Sequence, residues 1–245
     1  MSPKLSQLIL KHLQTLSVNS PNIPVIAIDG PSASGKGSVA ERVAEHLGFH
    51  YLDSGALYRI VALAAQNNDI AWSNAAALST MVPSLNIAFK NGEVLLDEQN
   101  VSKAIRNPAM SNGASQVAVH PEVRATLLGL QHSFRQAPGL VADGRDMASV
   151  VFTDAQLKIF LTANVEERAN RRFKQLIQQS IDADFDKILH DLKERDARDR
   201  SRSSAPLLQT KEAAFLNTDN RNIAEAVAFV LKEYEVSLQK HNNQQ

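Results

Sequence analysis

Lys36 sits among glycines in the run Gly30-Pro31-Ser32-Ala33-Ser34-Gly35-Lys36-Gly37-Ser38, directly after the stretch Val25-Ile26-Ala27-Ile28-Asp29. Residues of these types at this spacing suit one chemistry above others, the holding of phosphate. A buried strand that enters a glycine-rich turn and leaves it as a helix points free backbone N–H groups into one concavity. Gly30, Gly35 and Gly37 let the backbone approach a phosphate closely, and Lys36 can reach between the β- and γ-phosphates of a nucleoside triphosphate. The usual pattern puts Ser or Thr directly after the lysine. Here Gly37 intervenes and the hydroxyl belongs to Ser38. That weakens the expectation that a hydroxyl beside Lys36 binds Mg²⁺ directly.

Three charged groups further along can complete a phosphate-transfer site. Asp53-Ser54-Gly55 closes a short apolar run and Tyr58-Arg59 lies on the next helix, so Ser54 and Arg59 can face an acceptor phosphate. Leu140-Val141-Ala142 reads as a buried strand with Asp143-Gly144-Arg145-Asp146 at its tip. An acid at such a tip can hold a Mg²⁺-bound water, and Asp143 is the candidate for that role. Arg145 would bind phosphate, and Asp146 would face the acceptor base or its partners. The third group is a charge run with helical order. At about 100° per residue, Ile188, Leu192, Arg195, Asp199 and Arg202 fall within a band of roughly 80°. A stripe that begins apolar and turns charged marks a helix whose end leaves the core to line a cleft; Arg200 points elsewhere and Arg198 lies at the edge. Between Glu166 and Arg172, the residues Arg168, Arg171 and Arg172 can close over nucleotide phosphates, and which of them does so stays open.

The elements that must position these residues follow from the apolar runs. Runs at 25–29, 49–52, 140–143, 157–161 and 214–217, with helical patterns between them, predict a doubly wound α/β fold. Its five-stranded parallel sheet would hold the ligand at the carboxyl ends of the strands. The helix after the glycine-rich turn shows Val39, Val43 and Leu47 on one face and stops at Gly48. Two segments break the rhythm. Alternating apolar positions over 85–101 around Asn91-Gly92 predict a small antiparallel β insert, taken as 80–110. The Arg- and Gln-rich segment 164–183 lacks a long apolar stripe and is expected to be a helical lid, mobile and outside the core. Both belong to one domain over 23–240. Residues 1–22 stand apart as an N-terminal extension in which Leu5, Leu8, Ile9, Leu13 and Leu16 form one side of a short helix. That helix is expected to pack on the domain or fray rather than to act as a targeting segment.

Bulk composition narrows the classes. The 245 residues suffice for one sizeable core with an insert. Formal net charge is zero, so no global basic field recruits nucleic acid or an anionic membrane. There is no cysteine, which excludes disulfides and thiolate zinc sites and fits a reducing compartment. His46 and His50 have a helical ligand spacing, but Gly48 lies between them at the helix end, so no metal site is expected there. No run approaches the ~20 apolar residues of a membrane span.

Taken in order, the blocks of this chain resemble bacterial-type cytidylate kinases, which are nucleoside monophosphate kinases of the P-loop class. The blocks are the loop Gly30–Ser38, L-D-S-G-A-L-Y-R (Leu52 to Arg59) and A-S-Q-V-A-V-H-P-E-V-R (Ala114 to Arg124). A-D-G-R-D-M (Ala142 to Met147), K-I-F-L-T-A (Lys158 to Ala163) and K-E-R-D-A-R-D-R-S-R (Lys193 to Arg202) follow. The resemblance covers roughly Ile23 to Glu235. It implies transfer of the γ-phosphoryl group of ATP to CMP or dCMP with Mg²⁺, by a core with a lid and a β-rich insert near the acceptor site. It gives the loop residues Gly30 to Ser38 to ATP, and catalytic roles to Lys36, Arg145, Arg195 and Arg202. CMP would be bound by Ser54, Arg59, Ser115, Arg124, Arg145, Asp146, Arg195, Asp199 and Arg202, and the metal by Asp143 through water. Within the base site, Asp146 and Ser115 match the positions that face the cytosine N4, and Arg124 the position that faces N3 or O2. The rival readings are a kinase for another nucleoside monophosphate and a nucleotide-binding switch module. The expected protein is a cytoplasmic monomer that works on small nucleotides, with neither nucleic acid nor membrane as a partner.

Overall fold

The computed structural model describes residues 23–90 and 93–242. The extension expected over 1–22 and the Asn91-Gly92 pair lie outside those residues. In chain order the first elements are β1 (Val25–Asp29), α1 (Lys36–Leu47), β2 (His50–Asp53), α2 (Ser54–Asn67) and α3 (Ala75–Met81). Then come β3 (Ile87–Lys90), β4 (Glu93–Leu96), β5 (Gln99–Asn100), α4 (Pro108–Val117) and α5 (Pro121–Ser133). The last are β6 (Leu140–Gly144), β7 (Leu157–Thr162), α6 (Val165–Gln178), α7 (Phe185–Ser201), β8 (Ala214–Asn217) and α8 (Ile223–Asn242).

β1 is buried along its whole length because it is the central strand. The parallel order is β2-β6-β1-β7-β8, with Ile28 opposite both Asp143 and Ile159. Side chains alternate along each strand, so every strand feeds two cores. Val25, Ala27, Leu140 and Ala142 pack with α2, α4 and α5 on one face. Ile26, Ile28, Val141 and Ile159 pack with α1 and α8 on the other. A sheet covered on both faces is the expected doubly wound architecture. The second strand starts and ends one residue later than the apolar run suggested, at His50 and Asp53, because Asp53 still pairs with Asp143 of β6.

β3, β4 and β5 form a separate antiparallel sheet, in which Ile87 pairs with Leu96 and Lys90 with Glu93. Phe89 sets its ring edge-to-face against Phe134, at the end of α5, with centroids 5.2 Å apart. Among the described residues, no helix is long and apolar enough to cross a membrane.

Two contacts fix the root of the glycine-rich turn. Asp29, buried at the end of β1, accepts the Met147 and Ala148 N–H groups with its two oxygens, each at 2.8 Å. Those N–H groups open the π-helical turn Met147–Val151 that follows β6. Burial, with Asp146 near, pushes the Asp29 carboxyl up to about 7, while the two N–H bonds oppose the rise. Gly30 has a second reason to be glycine beyond phosphate approach. A Cβ there would lie 1.9 Å from the Leu161 carbonyl oxygen of β7, too close for any side chain.

Candidate active site

The carboxyl ends of the strands open into a cleft of about 1190 Å³. Ser32 to Ser38, Ser54, Arg59, Ser115, Arg124, Asp143, Arg145, Asp146, Arg195, Asp199 and Arg202 all line it. Of the residues expected in the site, Gly30 and Pro31 do not; they form the root of the turn.

At the end formed by the glycine-rich turn, Gly35 adopts φ 91° and caps α1, a left-handed conformation natural to glycine. Ala33 also takes positive φ, at 59°, which is strained for a residue with a Cβ. The loop is therefore held in a shape its own backbone would not choose, as fits a pre-built cradle. Lys36 Nζ reaches back to the Pro31 carbonyl at 3.4 Å and stands 3.9 Å from Asp143. Its burial and the nearby Arg145 hold the ammonium down to about 7.

At the opposite end, carboxylates and arginines hold one another. Arg59 donates to Asp53 at 2.5 Å, and Asp53 also caps α2 through the Ala56 N–H. Arg124 pairs with Asp146, donates to the Ala118 carbonyl at 3.2 Å and lies 5.4 Å from the centre of the Tyr58 ring. Arg145 links three elements. It donates to Asp199 of α7 at 2.8 Å, to Ser32 of the loop at 2.6 Å and to the Gly144 carbonyl. Arg202 donates to the other oxygen of Asp199. Asp199 is fully buried, yet Arg145 and Arg202 overcome that burial and hold its carboxyl below the usual range. The helical stripe is thus as expected: Leu192 and Asp199 are buried, Arg195 and Arg202 half-buried, Arg200 exposed.

These carboxylates do not balance the cations. Burial, then Arg145, lowers Arg195 to about 9, and its Nε has no partner. Ser34 Oγ, Tyr58 Oη, Ser115 Oγ and Arg202 Nε are likewise buried without partners. Unpartnered buried donors facing one cleft from both ends mark where an anionic, oxygen-rich ligand belongs.

The arginines of the segment 164–183 divide. Arg168, expected among those that close over phosphates, is buried instead. It grips Asp196 with two bonds, at 2.5 and 3.2 Å, and donates to the Ser32 and Ala163 carbonyls. Arg171 donates to the Ser34 and Thr218 carbonyls and to Glu167. The start of 164–183 is therefore stitched to the loop rather than lying wholly outside the core, and Ala169 and Leu176 are buried with it. Arg172 differs: it donates to the neutral Gln175 at 2.7 Å, and burial with Arg59 nearby lowers its pKa. Reasoning from sequence missed Asp196 and Thr218, whose partners come from another helix and from the loop. It also missed Gln131, which donates to Ser54 Oγ at 3.1 Å and so leaves the serine proton for the cleft.

The residues present fit a Mg²⁺ ion that arrives with phosphate. Asp143 at the tip of β6 offers a hard oxygen donor, with Asp53 beside it on β2. A Cβ on Gly37 would lie 3.9 Å from both Asp143 oxygens, so the glycine keeps open the space in front of that carboxylate. Mg²⁺ is usually held by one or two carboxylates plus phosphates, not by an all-protein cage.

A protein-family model described as cytidylate kinase matches residues 26–236. A protein of Polynucleobacter asymbioticus named cytidylate kinase is 58% identical over 216 residues, which cover 88% of this chain and 98% of that one. One of Burkholderia multivorans with the same name is 54% identical over 211 residues, covering 86% of this chain and 92% of its own. With the loop, the strand-tip acids and the arginine-lined cleft in these places, the chain belongs to the cytidylate kinase family.

Proposed function

We propose that the protein transfers the γ-phosphoryl group of ATP to CMP or dCMP, giving ADP and CDP or dCDP. The observation that carries this is the surplus of buried cation lining the cleft. Lys36 and Arg195 are both depressed by burial and by Arg145, so each gains when phosphate charge arrives. Such charge is greatest during phosphoryl transfer, and preorganised cations aimed at it lower the barrier.

The loop amides and Lys36 hold the ATP phosphates. Arg59 and Ser54 hold the acceptor phosphate, and Arg145, Arg195 and Arg202 offset charge on the group in flight. Asp199 keeps Arg145 and Arg202 at fixed angles. Asp143 would hold Mg²⁺ through water, and the bound ion would supply further neutralisation at the γ-phosphoryl group. The acceptor needs no strong general base, because a phosphate monoester with a second pKa near ~6 is mostly dianionic at neutral pH. Water has to be excluded, which supports a closing role for the far part of 164–183. The lack of cysteine suits a cytoplasmic setting.

A coupled assay with ATP and each nucleoside monophosphate tests the function. CMP-dependent ADP formation is expected. Equal or better turnover with another acceptor would point to a different kinase, and nucleotide binding without CMP-stimulated turnover to a switch module. In the lid, Arg172 is the arginine left to meet ATP, since Arg168 and Arg171 are committed to the loop. Arg172→Gln should lower kcat about 10-fold, as for loss of one charge-assisted hydrogen bond, with the melting temperature unchanged. An unchanged kcat in steady-state kinetics would remove Arg172 from the site.

A further inference from the structure

Tyr51 lies on β2, on the face that packs against α1. Its hydroxyl donates to Asp143 Oδ1 at 2.7 Å. In the β2–β6 register Tyr51 stands opposite Val141, so the ring runs two residues along the sheet to reach the strand tip. Gly37 makes room for the hydroxyl: a Cβ there would stand 3.5 Å from it, and any longer side chain would compete for the same space. The position that usually carries a hydroxyl after the lysine is therefore glycine, and the space beside it is lined by a phenol and a carboxylate from two strands.

We propose that Tyr51 is a positioning residue for Asp143, and that its hydroxyl fixes which carboxylate oxygen faces the metal and the phosphates. With Oδ1 occupied by Tyr51, Oδ2 is the oxygen that stands 3.9 Å from Lys36 Nζ. Without the donor, the carboxyl is free to turn about its last torsion, next to the like charge of Asp53. Groups that orient a metal's ligands commonly matter for its affinity although they never touch it. The proposal rests on the reading of Asp143 as the metal-facing residue.

Calorimetric titration of the full chain with ATP, once with Mg²⁺ and once with excess EDTA, gives two affinities whose ratio isolates the metal's contribution. Tyr51→Phe keeps the ring and loses only the hydroxyl. It should bind metal-free ATP within about twofold of wild type while the Mg²⁺ enhancement falls about 10-fold. An undiminished enhancement in Y51F overturns the proposal, and so does an equal loss with and without metal, which would mark a packing defect. Asp143→Asn separates the two readings. If D143N loses the enhancement and Y51F keeps it, Asp143 stands and Tyr51 falls. If D143N keeps it, or wild type shows none, both fall.

Discussion

CMP and dCMP are expected to be good acceptors, with kcat/KM for UMP lower by on the order of 10² to 10⁴. Cytosine offers an amino donor at N4 and acceptors at N3 and O2. Uracil has a carbonyl in place of the amino group and an N–H at N3. Asp146 and Ser115 would meet the first edge, and Arg124 the second. The buried Arg124–Asp146 pair makes the reading strict, since each side chain holds the other in place and neither can swing to suit the wrong base. Against uracil the carboxylate faces a carbonyl oxygen and the guanidinium faces an N–H. Each mismatch costs about 1–3 kcal/mol. Asp146→Asn presents either a carbonyl or an amine and should narrow the CMP/UMP ratio; Arg124→Met should narrow it too. Breaking a buried pair also costs stability, so the ratio is the proper measure, because it does not depend on the folded fraction. Wild type that used UMP as well as CMP would remove this base site. So would two variants that lost activity at a constant ratio.

Lys36→Met should lower kcat by at least ~10²-fold, the size of losing one preorganised electrostatic contact. The lysine's Nζ makes one long bond, to Pro31, and its charge offsets the buried Asp143 carboxylate 3.9 Å away. Burial and Arg145 depress its charge, so methionine of similar length relieves the fold of a poorly solvated cation. Losing the offset to Asp143 and Asp53 works against that relief, so turnover should collapse while the melting temperature changes little. Steady-state kinetics with CMP, beside a thermal melt, checks both halves, and near-normal turnover in a folded variant would end the role given to Lys36.

What could be read in the sequence was whatever one element carries by itself. β1 shows itself by an unbroken apolar run, and α1 by Val39, Val43 and Leu47. The stripe on α7 could be followed from Leu192 to Arg202 because it needs only helical geometry. Asp196 falls just outside that band, and its burial depends on Arg168 arriving from α6. The fates of Arg168, Arg171 and Arg172 were equally illegible. Three arginines on one helix look alike until the carbonyls of Ser32 and Ser34 single out two of them. Tyr51 resembled any aromatic strand residue, because its partner lies 92 residues on.

The tie between Asp29 and the Met147 and Ala148 N–H groups bears on the order in which the protein can be made. The two ends are 118 and 119 residues apart. At ~5–20 residues per second of synthesis, the carboxylate waits roughly 6 to 24 s for the groups that fix it. The waiting is longer for Gly30, which meets the carbonyl of Leu161. For most of that interval β1 has neither parallel neighbour, since β6 begins only at Leu140 and β7 at Leu157. Parallel pairing over such distances closes slowly and leaves apolar strand edges bare on the ribosome. The loop proposed to bind ATP is written in one short stretch, yet the groups that fix its root, on Met147, Ala148 and Leu161, are made long after it, so the cradle takes its shape only once those distant residues have arrived.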